Sequence, residues 1–395
     1  MCERTLILSQ PPATRVPANV AECWLANGHV RRALRAAGVE EDYLTGSGAD
    51  FEKLATLLEA LPSLQGSPLY DAVTTELQAL GCTLLPNGEN AAAIWQETAA
   101  LLAARAQRPA DYLEAADIDA ALVSASPLDF DKNTFYPLNG MEKCQIRPLF
   151  SPDNVLTVTR RDFAEGIRAL GARVGVEICD LHTLCEALER MLDDFAAAGC
   201  KEALHSTLAQ EGYCRPDPYH AGEILHRALT EKKPAFSPCE IALFHAQMMR
   251  FLGIAYAKRG MRLYLLPPTG TMASNLADAA KYDKINTVSG LNAENGFCEL
   301  LFYLFECGGL PETVIGLSPA TPYGILRRIS GHFPPLDGKP RVLWGIDGEW
   351  CTAADVAAIA QAICRESAAD TFVGVLRDAE GFLTAPVTRM LRSVL

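Results

Sequence analysis

Positive charge is scarce in this chain. Its 35 Lys and Arg stand against 48 Asp and Glu, a formal net charge of −13. No basic stretch collects that would neutralise the phosphates of a duplex, so a nucleic-acid partner is excluded. An anionic membrane surface is excluded on the same ground. Long apolar runs are also missing. None approaches the roughly 20 residues that a bilayer span needs, so no membrane partner is expected. The thirteen cysteines include no CxxC pair, which removes the usual zinc and thioredoxin-type spacings. An odd cysteine count, without a secretory leader pattern in residues 1–10, predicts reduced thiols and a cytoplasmic location. There is no glycine-rich phosphate loop after the first strand, no internal repeat and no low-complexity linker.

What is present is a chain of 395 residues, 49% hydrophobic, enough for one large α/β barrel or two ordinary domains. Short apolar runs read as strands at Thr5–Ser9, Ala120–Ser124, Cys144–Phe150, Glu202–Ser206, Arg262–Leu266, Thr313–Leu317, Val342–Ile346 and Phe372–Leu376. Between the first two lie about a hundred residues of helical period. They comprise Ala18–Ala37, Phe51–Leu61, Leu69–Leu80 and Ala91–Ala106, too much for a simple crossover. Later helices are predicted at Arg161–Ala172, Leu181–Ala198, Cys239–Arg259, Glu294–Glu306 and Ala353–Arg365. Eight strands, most followed by a helix, predict a closed (β/α)8 barrel. The expected division is residues 1–17 for the first strand and its loop, 18–118 for a helical cap insertion, and 119–395 for the rest of the barrel.

In a parallel α/β fold, polar residues at the C-terminal ends of strands face the site of chemistry. Asp347 and Glu349 follow the seventh strand; Asp378 and Glu380 follow the eighth. Neighbouring strands lie about 4.8 Å apart, so the four carboxylates are candidates to share one mouth. They would hold a hard divalent cation through oxygen or divide acid and base roles. The competing reading is that some face solvent or cap the next helix, as Thr352 and Asp355 would for Ala353–Arg365.

Several stretches resemble the uronate (glucuronate) isomerase family of the amidohydrolase superfamily. HVRRALRAAGVEEDYLTG (His29–Gly46) and SPLYDAVTTEL (Ser67–Leu77) resemble its helical cap; FVGVLRDAEGFLTAPVTRMLRSVL (Phe372–Leu395) resembles its last strand and helix. CKEALHSTL (Cys200–Leu208), LPETVIGLSPA (Leu310–Ala320) and GKPRVLWG (Gly338–Gly345) fall between them in the family's order. The resemblance implies a distorted amidohydrolase-type barrel with the cap inserted after the first strand, and an oligomer. It also implies a divalent metal, with aldose–ketose isomerisation of glucuronate or galacturonate by proton transfer.

Residue by residue, the implied site is altered. The first-strand His-x-His metal pair falls on Ile7 and Ser9, and aliphatic carbon offers no lone pair. The fourth-strand Asp-His-Gly falls on Leu204, His205 and Ser206, and the fifth-strand histidine on Tyr264. The seventh-strand tryptophan pair falls on Gly348 and Glu349, with Trp350 one step on. The eighth-strand metal aspartate is kept as Asp378. The two arginines that would grip the uronate carboxylate in bidentate fashion fall on Ser151 and Glu380. The last exchange reverses the charge.

Three readings stay open at this point: an isomerase with relocated contacts, an inactive relative that binds a ligand or pairs with another subunit, and a different enzyme built on the four carboxylates. His205 is a candidate ligand or base, since histidine titrates near neutrality, but a lone histidine on an apolar strand is commonly a hydrogen-bonded core residue. Tyr264 reads as a pocket wall or as packing. His220 and His226 near Asp217 are not in helical phase with each other. Cys179, Cys185 and Cys200 are too dispersed for zinc. Arg327 and Arg328 suit a solvated helix face or an anion. Phe244, Met248, Met249 and Tyr256 make Cys239–Arg259 apolar around its circumference, which fits burial on several sides or a subunit interface.

Overall fold

The computed structural model describes residues 5–8, 19–26, 28–105, 119–131, 144–206, 213–266, 269–271, 286–288, 294–319, 321, 323–348, 353–367 and 371–377. Each predicted strand is present in these: β1 (Thr5–Leu8), β2 (Ala120–Ala125), β3 (Gln145–Phe150), β4 (Glu202–His205), β5 (Arg262–Leu265), β8 (Thr313–Leu317), β9 (Val342–Asp347) and β10 (Phe372–Arg377). A short antiparallel hairpin, β6 (Thr269–Thr271) with β7 (Asn286–Val288), interrupts the count. The eight form one parallel sheet in the order β1-β2-β3-β4-β5-β8-β9-β10. The sheet curls until β1 and β10 approach within 8 Å.

Helices α1 (Val20–Ala26), α2 (Gly28–Ala36), α3 (Asp50–Ala60), α4 (Pro68–Leu80) and α5 (Ala91–Arg105) lie between β1 and β2. One long helix was expected over Ala18–Ala37; α1 and α2 cover its described residues, and Asn27 between them lies outside the described residues. The five share a core of their own, with Trp24, Leu34, Leu54, Leu58 and Leu77 almost fully buried. Ser67 accepts from the Tyr70 N–H, and Pro68 stands in the first turn, which fixes where α4 begins. Gly81, at φ 100°, ends it in the left-handed conformation open to glycine.

The remaining helices pack on the outside of the sheet: α6 (Asp153–Leu156), α7 (Phe163–Val174), α8 (Leu181–Ala197), α9 (Pro218–Thr230), α10 (Pro238–Arg259), α11 (Glu294–Glu306), α12 (Gly324–Ile329) and α13 (Ala353–Glu366). Helix α9 covers a segment the sequence reading treated as merely polar. Asp217 caps it by accepting from the Tyr219 and His220 N–H groups, and Ala221, Ile224, Leu225 and Ala228 form its buried stripe. Phe244, Met248, Met249, Leu252 and Tyr256 of α10 are all buried within the chain itself.

Alternation along the strands separates two faces. Leu6, Ala121, Phe150, Ala203, Leu263 and Trp344 point outward against the helices. Ile7, Leu122, Leu149, Leu204, Tyr264, Leu266, Val314, Leu343 and Leu376 meet inside as a separate apolar plug. Val373 and Leu376 of β10 are both packed in that plug, three residues apart. Gly374 makes this possible. It sits at φ 105° within a register shift against β9, a bulge that changes the strand's phase.

Candidate active site

Below the plug, at the N-terminal ends of the strands, charged groups close the barrel. Arg147 donates to Glu202 at 2.7 Å and to Gln145 at 2.9 Å. Arg262 bonds to Glu312. The Tyr264 hydroxyl bonds with Arg262 and Thr5. Burial raises the Tyr264 pKa, an effect partly offset by the Arg262 charge. The structure therefore places the Tyr264 ring inside the barrel, with its hydroxyl turned to the end opposite the mouth.

Two residues beyond the plug residues of β2, β3 and β4, toward the C-terminal ends, the inward positions become hydroxyls. Ser124 follows Leu122, Ser151 follows Leu149, and Ser206 follows Leu204. On β8, Gly316 is followed by Ser318. The Ser124 hydroxyl donates to the Ser151 hydroxyl at 2.8 Å. Ser318 bonds to Thr321 through its N–H at 3.0 Å. The Ser206 N–H donates to Asp153 Oδ2 at 3.0 Å, and the Ser206 hydroxyl bonds to the same oxygen. On β9 the corresponding position is Asp347, 1% exposed, with its Cβ across from Gly316. Arg377 of β10 is in register with Asp347. Thus Ser151 and Asp347 take inward positions at the C-terminal ends of β3 and β9. Ser9, Glu349, Asp378 and Glu380 lie outside the described residues.

His205 is not brought to that mouth. It stands between inward Leu204 and inward Ser206, so strand alternation turns it outward, where it is fully buried. Its Nε2 is 2.9 Å from the Tyr256 hydroxyl of α10, and its Nδ1 is 4.0 Å from Asp153 Oδ1. Burial pushes its pKa down to about 3, so the ring is neutral at physiological pH. Burial likewise raises Tyr256 well above the ordinary phenol value. Asp153, Ser124 and Ser318 are mouth residues that the sequence reading did not single out. Counting two residues onward from each inward apolar position would have found the serines.

A divalent metal needs several lone-pair donors converging at about 2 Å. Ile7 is 2% exposed and packed into the plug, so the first-strand position contributes carbon only. Among the described residues, no three His, Cys, Asp or Glu side chains converge to hold a metal. The described part of the mouth does not fit the family's metal centre.

The other sequence candidates resolve into local structure. His220 Nδ1 pairs with Asp217 at 2.9 Å; that bond raises the His220 pKa and lowers the Asp217 pKa. Arg327 grips Glu366 with two bonds of 2.6 and 2.8 Å. Burial pushes Cys185 and Cys200 to about 12, as expected of inert thiols.

With this geometry described, comparison with known proteins is decisive for ancestry. The family model described as glucuronate isomerase matches residues 13–395. The chain belongs to the glucuronate isomerase family. A uronate isomerase of Caldanaerobacter subterraneus subsp. tengcongensis is 26% identical over 403 residues, covering 95% of this chain and 82% of that protein. One from Salmonella paratyphi B is 27% identical over 395 residues, with 95% and 82% covered. The crystal structure of the Thermotoga maritima uronate isomerase superposes with a TM-score of 0.83 at 19% identity, covering all of this chain and 87% of that one. The Caulobacter crescentus glucuronate isomerase gives 0.81 at 16% identity, with 84% of that chain covered. The fold shared with these structures is the amidohydrolase-type (β/α)8 barrel.

Proposed function

We propose that this protein binds a small polar ligand at its barrel mouth without catalysing the aldose–ketose isomerisation of its family. The observation that carries this is Ile7. The sequence resemblance sets it against the family's first metal histidine, and it is buried in the interior plug with Leu122, Leu204 and Leu376. Moving a proton between adjacent carbons needs a base and a polarising electrophile. Besides the carboxylates of Asp153, which is engaged by Ser206, and Asp347, the described mouth offers Ser124, Ser151, Ser206 and Ser318, which both donate and accept hydrogen bonds but are weak bases. Ser151 in place of an arginine removes a bidentate carboxylate grip. The ligand expected for hydroxyls of this kind is a neutral sugar or polyol. The family resemblance favours a homo-oligomer, and the odd cysteine count favours a reducing, cytoplasmic setting. No described helix is long and apolar enough to cross a membrane.

Asp347 supports a second reading. It is inward and buried beside β10, which leads directly to Asp378, the kept family metal position, and on to Glu380. With Glu349 these residues would hold a divalent cation for a different reaction on a neutral or cationic substrate. Purified protein is assayed with glucuronate and galacturonate in added Zn²⁺ or Mn²⁺, and its metal content is measured alongside Asp378→Ala. No turnover and no bound metal are expected. Isomerisation at a useful rate would overturn the inactive reading. A stoichiometric ion lost in Asp378→Ala would favour the carboxylate enzyme.

A further inference from the structure

Away from the mouth, two thiols meet on the outer face of the barrel. Cys214 lies on the connection that leaves β4 after Ser206, and Cys239 is in the first turn of α10. Their sulfurs are 2.8 Å apart. The α10 cap holds Cys239 in place: Ser237 accepts from the Glu240 N–H, and the Glu240 carboxylate accepts in return from the Ser237 N–H at 2.7 Å. Helix α9 separates the two cysteines in sequence and packs against α10. Cys239 is exposed and Cys214 half-buried. A groove of about 920 Å³, lined by His182, His220, His226 and Arg227, opens onto Cys239.

We propose that Cys214 and Cys239 are a reversible thiol–disulfide site, oxidised by exchange with a low-molecular-weight disulfide of the glutathione class. A disulfide bond is about 2.05 Å long, so the sulfurs must close by less than about 1 Å. Cys239 is the sulfur that an incoming molecule reaches. Its thiolate attacks the external disulfide, forms a mixed disulfide and releases one thiolate. Cys214 then gives up its proton to solvent and attacks the Cys239 sulfur, releasing the second thiolate. The balance is one external disulfide and two protein thiols converted to one protein disulfide and two external thiols. Burial, together with the neighbouring Cys239 sulfur, pushes the Cys214 thiol up to about 11, which suits a resolving thiol held protonated until its partner is modified. The groove gives room for the tripeptide; its lining carries both signs, with Arg227 paired to Glu240 and His220 to Asp217. Disulfides in reducing compartments are characteristically transient ones of this kind.

The test uses the full chain, equilibrated at increasing ratios of oxidised to reduced glutathione. Free thiols are trapped with an alkylating agent and peptides are mapped by mass spectrometry. The peptides carrying Cys214 and Cys239 are expected to become one linked species as the ratio rises, and to separate again with dithiothreitol. Cys214→Ser is expected to stop at the intermediate, with glutathione on Cys239. If both wild-type cysteines remain alkylated at the most oxidising ratio, or link to other cysteines instead, the proposal is overturned.

Discussion

A buried neutral imidazole has a measurable signature. The His205 pKa is depressed from 6.5 to about 3 by burial. The unfolded chain therefore binds a proton between these values that the native state refuses. Stability from this group is complete above pH 6.5 and is lost as pH falls toward 3, by up to about 1.4 kcal/mol per pH unit. Urea midpoints taken between pH 7 and pH 5, above the main carboxylate range, should fall with this slope in the wild type. His205→Gln, which keeps a polar partner for Tyr256, should flatten it. An unchanged slope would mean that His205 titrates normally. The outward turn of His205 was not legible from sequence. In a strand buried on both faces, apolar content does not say which face is inside; Leu204 and His205 are equally hidden. Ile7 was legible, because an aliphatic residue excludes metal ligation wherever it points. Asp153 was hidden for another reason: its role depends on Ser206, a contact between the start of α6 and the end of β4 that no local pattern announces.

The elements that carried strong periodic or apolar signals were read nearly to the residue. The strands could be placed because β-branched and leucine runs end abruptly at polar residues, as Val342–Asp347 does. Helix α9 was missed although Asp217, Pro218 and the Ala221, Ile224, Leu225 and Ala228 stripe are all present; its histidines and exposed Tyr219 masked the period. The bulge at Gly374 was equally opaque, since a glycine in an apolar run does not state its φ. Its effect is steric as well as topological. Leu376, turned inward, lies over Gly345, where an added Cβ would stand 2.5 Å from Leu376 Cγ. Gly345→Ala should therefore cost about 1–3 kcal/mol by overpacking. Adding Leu376→Ala should cost less than the sum of the two single changes, because the second opens the space the first needs. Chemical denaturation of the three variants measures this. Full additivity would show that the two residues do not share the site.

At the scale of the molecule, the buried core divides. The cap cluster draws on residues from Val20 to Leu102, while the outer and inner barrel clusters draw on strands from β1 to β10. We propose that the cap is a cooperative unit of its own. Peptide-level hydrogen exchange in moderate urea should show residues 50–102 exchanging at a different free energy from residues 202–266. A single common exchange midpoint would count against that division.

The pairing of Thr5–Leu8 with Ala120–Val123 also bears on how the chain is made. Strand β1 leaves the ribosome before the cap, and β2 leaves only after it. An unfolded insertion of that length makes their meeting entropically costly, although the cost grows only slowly with length. A cap that folds on emergence draws its two ends into a fixed geometry while the rest of the barrel is still being synthesised. Strand β10 arrives last of the eight. The curl that brings β10 beside β1 is therefore complete only after synthesis has passed Arg377, and until then the outer edge of β1 is open to other chains.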